Sequence, residues 1–140
     1  MRKSAEIRKS EIVAHVLALA DRLGPDRVTT AAVAAQVGVT QAAIFRHFPT
    51  KAALWKAVAE HVADRLAAAW AQVLAEVATP RERIAALIRA QLAQIAATPA
   101  MPMLIFSREL NVENGDLRAA FRGRLKAFHG LLEAEVAAAQ

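Results

Sequence analysis

The chain contains no cysteine. That absence excludes a disulfide framework and any thiolate metal site, and it suits a reducing, cytoplasmic setting. The signatures of common catalytic and nucleotide sites are missing as well: there is no P-loop, GxGxxG, HExxH or GxSxG. The chain therefore reads as a non-enzyme that needs no cofactor. Long hydrophobic runs are also lacking. The uncharged stretch from Ala90 to Ser107 is broken by Gln91, Gln94, Pro99 and Pro102, which leaves no credible membrane span. No segment alternates apolar and polar residues with a period of two, so no half-buried strand is expected.

What the chain does have is alanine, 35 of its 140 residues, a composition that favours helix. This length suffices for a core in one domain or in two small ones. The net charge of +5 is unevenly placed. Residues 1–56 carry nine Lys/Arg against four Asp/Glu, whereas residues 57–140 carry nine against nine. The excess sits where a module facing phosphates needs it, the alternative being a basic tail that binds membranes or nothing in particular. Arg2, Lys3, Arg8 and Lys9, followed by Ile12–Ala20, imitate a signal peptide with Ala18-Leu19-Ala20 as its cleavage site. Glu6, Glu11 and His15 oppose that reading. Ile12, Val16, Leu19 and Leu23 fall at helical spacing, with Val13, Leu17 and Ala20 beside them, and Gly24-Pro25 follows as a stop. A first helix is the better reading.

The segment Thr29–Lys51, TTAAVAAQVGVTQAAIFRHFPTK, organises the rest. Thr29 is a good N-cap, and Val28 before it can pack on Val33 as a hydrophobic staple. The helix runs to Val37, and Gly38 supplies a residue that tolerates a positive φ. The pattern then repeats with Val39, the cap Thr40 and the staple partner Ile44. Helix, glycine turn and short second helix make a helix-turn-helix at residues 29–48, whose second helix enters the major groove. The segment resembles the DNA-binding motif of the tetracycline-repressor (TetR) family. The resemblance rests on the threonine that opens the second helix, on Val33, Ala34 and Val37, on Gly38-Val39-Thr40, and on Phe45-Arg46-His47-Phe48 with Lys51. It covers about residues 6–66. Two departures stand out: Phe45 replaces the usual Tyr, removing a hydroxyl that could reach phosphate, and Ala42 stands where Gly is common.

With Ile44 facing the core at 100° per residue, Phe48 joins it, Ala42 and Arg46 point away, and Ala43 and Phe45 flank them. Thr40, Gln41, Ala42 and Arg46 are then the expected readers. Gln41 can pair with adenine, Arg46 with guanine or instead with phosphate, and Ala42 or Ala43 can touch a thymine methyl. The resemblance implies that Thr30, His47 and Lys51 bind backbone phosphate and that Phe45 stands at a backbone-contact position. Thr29, at the head of the motif, completes the DNA-facing set. His47 has a plainer alternative, which is to close the bundle.

Thr50 is expected to cap a long helix from Lys51 to about Ala78 with the stripe Leu54, Val58, Val62, Leu66, Trp70, Val73 and Val77. Thr79-Pro80-Arg81-Glu82 is a capping box that opens a helix carrying Ile84, Leu87, Ile88, Leu92 (or Gln91) and Ile95. Thr98-Pro99 starts another, through Met103–Leu110. After a turn at Asn111–Gly115, a last helix over Asp116–Ala139 bears Leu117, Phe121, Leu125, Phe128, Leu132 and Val136. The expected architecture is all-α: a three-helix DNA-binding domain over residues 1–50, then a helical regulatory and dimerisation domain over residues 51–140, apparently incomplete. Trp70, Met101, Met103 and Phe106 can line a ligand pocket or simply be core. Glu60, His61 and Asp64 lie near one another but lack a further ligand, so no metal site is expected.

The resemblance implies a repressor that binds a palindromic operator in double-stranded DNA as a homodimer and is released by a small-molecule effector. Either the last helix supplies the dimer seam or the chain is a fragment of a longer protein. The alternatives are a helical DNA-binding protein without an effector, and a partner-binding module or enzyme in which the motif is only structural.

Overall fold

Hydroxyl caps open the first five helices. Ser4, Thr29, Thr40, Thr50 and Thr79 stand in extended backbone and accept a hydrogen bond from the amide three residues on, at 3.0–3.4 Å. The computed structural model describes residues 4–106 and 115–140. Its helices are α1 (Ala5–Leu23), α2 (Thr30–Val37), α3 (Gln41–His47), α4 (Lys51–Glu76), α5 (Pro80–Ala97), α6 (Ala100–Phe106) and α7 (Gly115–Ala139), with a 3₁₀ turn at Pro25–Arg27. No strand occurs among the described residues. No helix among them is long and apolar enough to cross a membrane.

α1, α2 and α3 pack together and against the start of α4, while α4, α5 and α7 form a second bundle. At 26 residues α4 is about 39 Å long and belongs to both. Its buried face runs Leu54, Trp55, Val58, Ala59, Val62, Ala63, Leu66 and Trp70, so one hydrophobic cluster extends from Ile12 in α1 to Phe128 in α7. Trp55, buried at 2% exposure, is the large core residue that the expected stripe of α4 omits.

Several expectations need correction. α4 ends at Glu76 rather than near Ala78, because the Val77 amide still bonds to Val73 while Val77 itself turns extended. On α5 only Leu87 is fully buried; Leu92 is 60% exposed and Ile88 44%. Gln91, the alternative to Leu92 in the expected stripe, takes the inward place, where its side-chain oxygen accepts the Trp70 indole N–H at 2.9 Å. On α7 Phe128 is buried and Phe121 and Leu132 pack on the core as the stripe expects, but Leu125 and Val136 are half-exposed and Glu135 is buried. The helix expected to start at Thr98-Pro99 is α6, which begins at Ala100 and is described as far as Phe106. Residues 107–114, with most of the expected turn, lie outside the described residues.

Two polar contacts hold these elements in place. The Ala100 amide at the head of α6 donates to Asp21 Oδ1 of α1 at 2.7 Å, so the cap comes from another helix. Glu135 can be buried because Arg83 reaches it at 3.4 Å. Arg83 also donates to the Val77 carbonyl at 2.6 Å and the Leu74 carbonyl at 3.1 Å, closing the C-terminus of α4. One guanidinium thus ties α4, α5 and α7 together at a helix end whose partial charge favours a cation.

Removing it leaves a largely buried carboxylate and two carbonyls without their donor. Arg83→Met is expected to destabilise the fold by about 2–4 kcal/mol in thermal or urea denaturation. Adding Glu135→Leu should return part of that loss, because no charge then remains buried. Equal stability of Arg83→Met and the parent would mean that the clamp contributes nothing.

Candidate nucleic-acid interface

Gly38 ends α2 in the left-handed region, at φ 81° and ψ 34°, and both its amide and that of Val39 return to the Ala34 carbonyl, at 2.9 and 3.0 Å. Two residues later Thr40 caps α3 through the Ala43 amide at 3.1 Å. The turn therefore contains little besides a glycine and a cap, and it fixes the angle between the helices. Val28, Val33, Ala34, Ile44 and Phe48 are buried, with Val39 partly so, which places both expected staples in the core. Phe48, the C-cap of α3, closes the bundle from below.

Burying Ile44 dictates the rest of α3. Thr40, Gln41, Ala42, Phe45 and Arg46 are exposed, while Ala43 and His47 are half-buried at its edges. The Phe45 ring, 44% exposed, lies on the surface beside Arg46. Thr29 and Lys51 are exposed and Thr30 is half-buried. Thr30 donates its hydroxyl to the Gln41 side-chain oxygen at 3.4 Å, a weak contact joining the heads of α2 and α3. The ten residues singled out from the sequence thus gather around α3, the head of α2 and the start of α4. Their surroundings carry charge of one sign, since neither α2 nor α3 contains an acidic residue. The arrangement can offer amide, guanidinium and methyl groups to base edges, with flanking cations and helix N-termini for phosphates.

Away from this surface, α4, α5, α6 and α7 line a half-open cavity of about 680 Å³. Trp70 and Met101 stand on its wall and are at the same time buried members of the core, and Trp70 stacks on Phe128 with centroids 5.1 Å apart and planes tilted by 32°. The side chains of Met103 and Phe106 lie outside the described residues. Sequence reasoning missed Arg118, Arg122 and Arg124 on the cavity wall; the i, i+4 arginine pair beside Phe121 and Leu125 was the available signal. Asp21 and Arg83 escaped it too, because their partners are remote in sequence.

No trio of His, Asp or Glu able to hold a metal exists among the described residues. Glu60 lies 3.9 Å from Lys56, and Asp64 lies 3.3 Å from Arg124. Burial, and then the charge of Arg65, holds the His61 imidazole below its ordinary pKa, with Asp64 pulling weakly the other way.

A three-helix bundle with an exposed recognition helix after a glycine turn, carried on longer helices around a cavity, defines the class as helix-turn-helix regulators. Residues 12–58 match the family described as "Bacterial regulatory proteins, tetR family". The chain belongs to that family. It is 35% identical over 114 residues to the nucleoid occlusion factor SlmA of Vibrio vulnificus strain YJ016, covering 79% of this chain and 57% of that protein. The SlmA of Aliivibrio fischeri strain MJ11 is 33% identical over 116 residues, covering 80% and 58%. The chain thus spans little more than half the length of these relatives. A solved structure, titled as the ketosteroid transcriptional regulator KstR2 of Mycobacterium tuberculosis, superposes with a TM-score of 0.74. The match covers 99% of this chain and 69% of that one at 17% identity, a likeness of fold.

The turn itself is open to test. A Cβ built on Gly38 meets nothing within 4 Å, so any penalty for a side chain there is conformational. Gly38→Ala should cost about 1–2 kcal/mol and Gly38→Asn distinctly less, since Asn tolerates the left-handed region. Equal costs in denaturation would point to a steric cause instead.

Proposed function

We propose that the chain is a sequence-specific DNA-binding transcriptional regulator: a repressor that grips a palindromic operator as a homodimer and is released when a small molecule enters the cavity. The observation that carries this reading is the surface of α3, where Gln41, Ala42, Phe45 and Arg46 are exposed together while Ile44 anchors the helix from behind. Gln41 and Arg46 are the readers, Arg46 reaching guanine or phosphate, and Ala42 or Ala43 meets a thymine methyl. Thr30, His47 and Lys51 hold phosphates, with Thr29 and Thr40 aiming the amide ends of α2 and α3 at the backbone. Phe45 contributes its ring but no hydroxyl.

A single recognition helix supplies few contacts, and paired heads one helical turn apart are the usual remedy. Val136 on α7 and Ile88 and Leu92 on α5, all exposed apolar side chains, support association through the C-terminal helices. The relatives' name, nucleoid occlusion factor, favours a second reading, in which a DNA-bound protein acts without an effector. A closed, void-free C-terminal half would suit that second reading, whereas the cavity of about 680 Å³ supports the first.

Selection of bound sites from random duplex DNA tests the reading directly, and two substitutions then separate the roles. Lys51→Ala should weaken binding to all sequences about equally and reduce the slope of log K against log salt by roughly one unit. An unchanged slope would remove Lys51 from the phosphate set. Gln41→Ala should cost ~1–3 kcal/mol at one base pair per half-site and relax the preference there. If the selected consensus stays identical, Gln41 does not read the DNA.

A further inference from the structure

Three guanidiniums stand on the wall of the cavity. Arg118 and Arg122 are one helical turn apart on α7, and Arg124 follows. No carboxylate lines the cavity among the described residues. This is a local segregation of charge, since residues 57–140 as a whole carry nine basic against nine acidic side chains. Arg124 is partnered by Asp64 at 3.3 Å, which braces α7 on α4. Among the described residues no carboxylate pairs with Arg118 or Arg122.

The rest of the wall is of a different character. Leu66, Trp70, Ile95 and Phe128 offer an apolar, largely aromatic surface. Its polar group is the Gln91 amide, whose orientation chemistry decides. The Trp70 indole N–H can only donate, so it takes the Gln91 oxygen at 2.9 Å and leaves the amide nitrogen to face other acceptors. Among the described residues the polar side chains on the wall are thus the three guanidiniums and the Gln91 amide, with no carboxylate among them. A cationic ligand is repelled by such a wall, and a neutral apolar one gains nothing from its guanidiniums.

We propose that the cavity takes a molecule with an apolar body ending in an oxyanion, either carboxylate or phosphate. The body lies against Trp70 and Phe128 and the anion sits between Arg118 and Arg122, whose planar forks suit paired oxygens. The volume of about 680 Å³ falls in the range of small-molecule sites, roughly 300–1,000 Å³. The inference rests on the effector reading only in taking the cavity as a ligand site.

The test titrates the 140-residue chain, below the micellar range, with dodecanoate, dodecyl phosphate, dodecanol and dodecyltrimethylammonium. Calorimetry and Trp70 emission report binding, with Trp55 a constant background in the core. One or both anions should bind about tenfold or more tightly than dodecanol and the ammonium, and whichever anion is tighter names the headgroup. The double variant Arg118→Gln/Arg122→Gln should lose that preference while keeping its affinity for dodecanol. Since both arginines are exposed, its melting temperature should match the parent's. Dodecanol binding as tightly as the anions, an undiminished preference in the double variant, or no binding by any probe would each overturn the proposal. Release of operator DNA is measured separately. An anion that binds but leaves DNA bound sinks the effector reading and leaves the chemistry of the cavity standing.

Discussion

Burial of one face of α4 is the constraint on which the remainder of the molecule depends. Eight side chains from Leu54 to Trp70 leave water along that face. At about 1.5–3 kcal/mol for each large apolar side chain, this is a major driving force for a domain of this size. The N-terminal end of the face can be covered only by α1 and its neighbours, and the C-terminal end only by α5 and α7. Two bundles that each need the same helix cannot drift apart, and the continuous cluster from Ile12 to Phe128 is the outcome. The recognition surface lies at one end of this arrangement and the cavity towards the other, with Trp70 serving both as part of the buried face and as a cavity wall.

Charge is distributed against that apolar frame in two separate patches. The first is general, an excess of basic residues over residues 1–56, to which Arg46 on α3 and Lys51 and Lys56 at the start of α4 contribute. A long polyanion with charges at regular intervals meets such a surface over many weak contacts, and salt screens it. The second is small, set by three arginines at the rim of a half-open cavity beside aromatic rings. The apolar surface beside them screens those charges less than open water does. One chain therefore presents two anion-facing surfaces of different kinds, one suited to a polymer and the other to a single headgroup.

The helix-turn-helix was legible in the sequence because its determinants are local. Each cap acts on an amide three residues on, each staple spans one turn, and Gly38 does its work within its own backbone. Counting at 100° per residue was enough to place Ile44 inward and Arg46 outward. The C-terminal half was legible as helices but not as faces. Periodicity leaves Leu92 and Gln91 open on α5 and places Val136 inward on α7; Gln91 and Glu135 face inward because Trp70 and Arg83 supply partners for them. Those partners lie 21 and 52 residues away. The Asp64–Arg124 pair spans 60 residues and the Asp21–Ala100 bond 79. Nothing in a periodicity count carries information over such distances. The cavity arginines were lost for a related reason: on a lone helix, cations one turn apart look like a solvated face.

The bond from the Ala100 amide to Asp21 has one more consequence, which concerns how the molecule opens. Helix α6 is short, and short helices in isolation are marginal in water. Its first amide is met by a side chain of α1, and Ala100, Met101 and Leu104 are packed into the same cluster as α1. α6 therefore gains its order from contact with α1 and unravels when α1 departs. In the language of hydrogen exchange, the two helices form one cooperative unit, although more than seventy residues separate them along the chain. Protection of the α6 amides is then a gauge of whether α1 is in place at the other end of the chain.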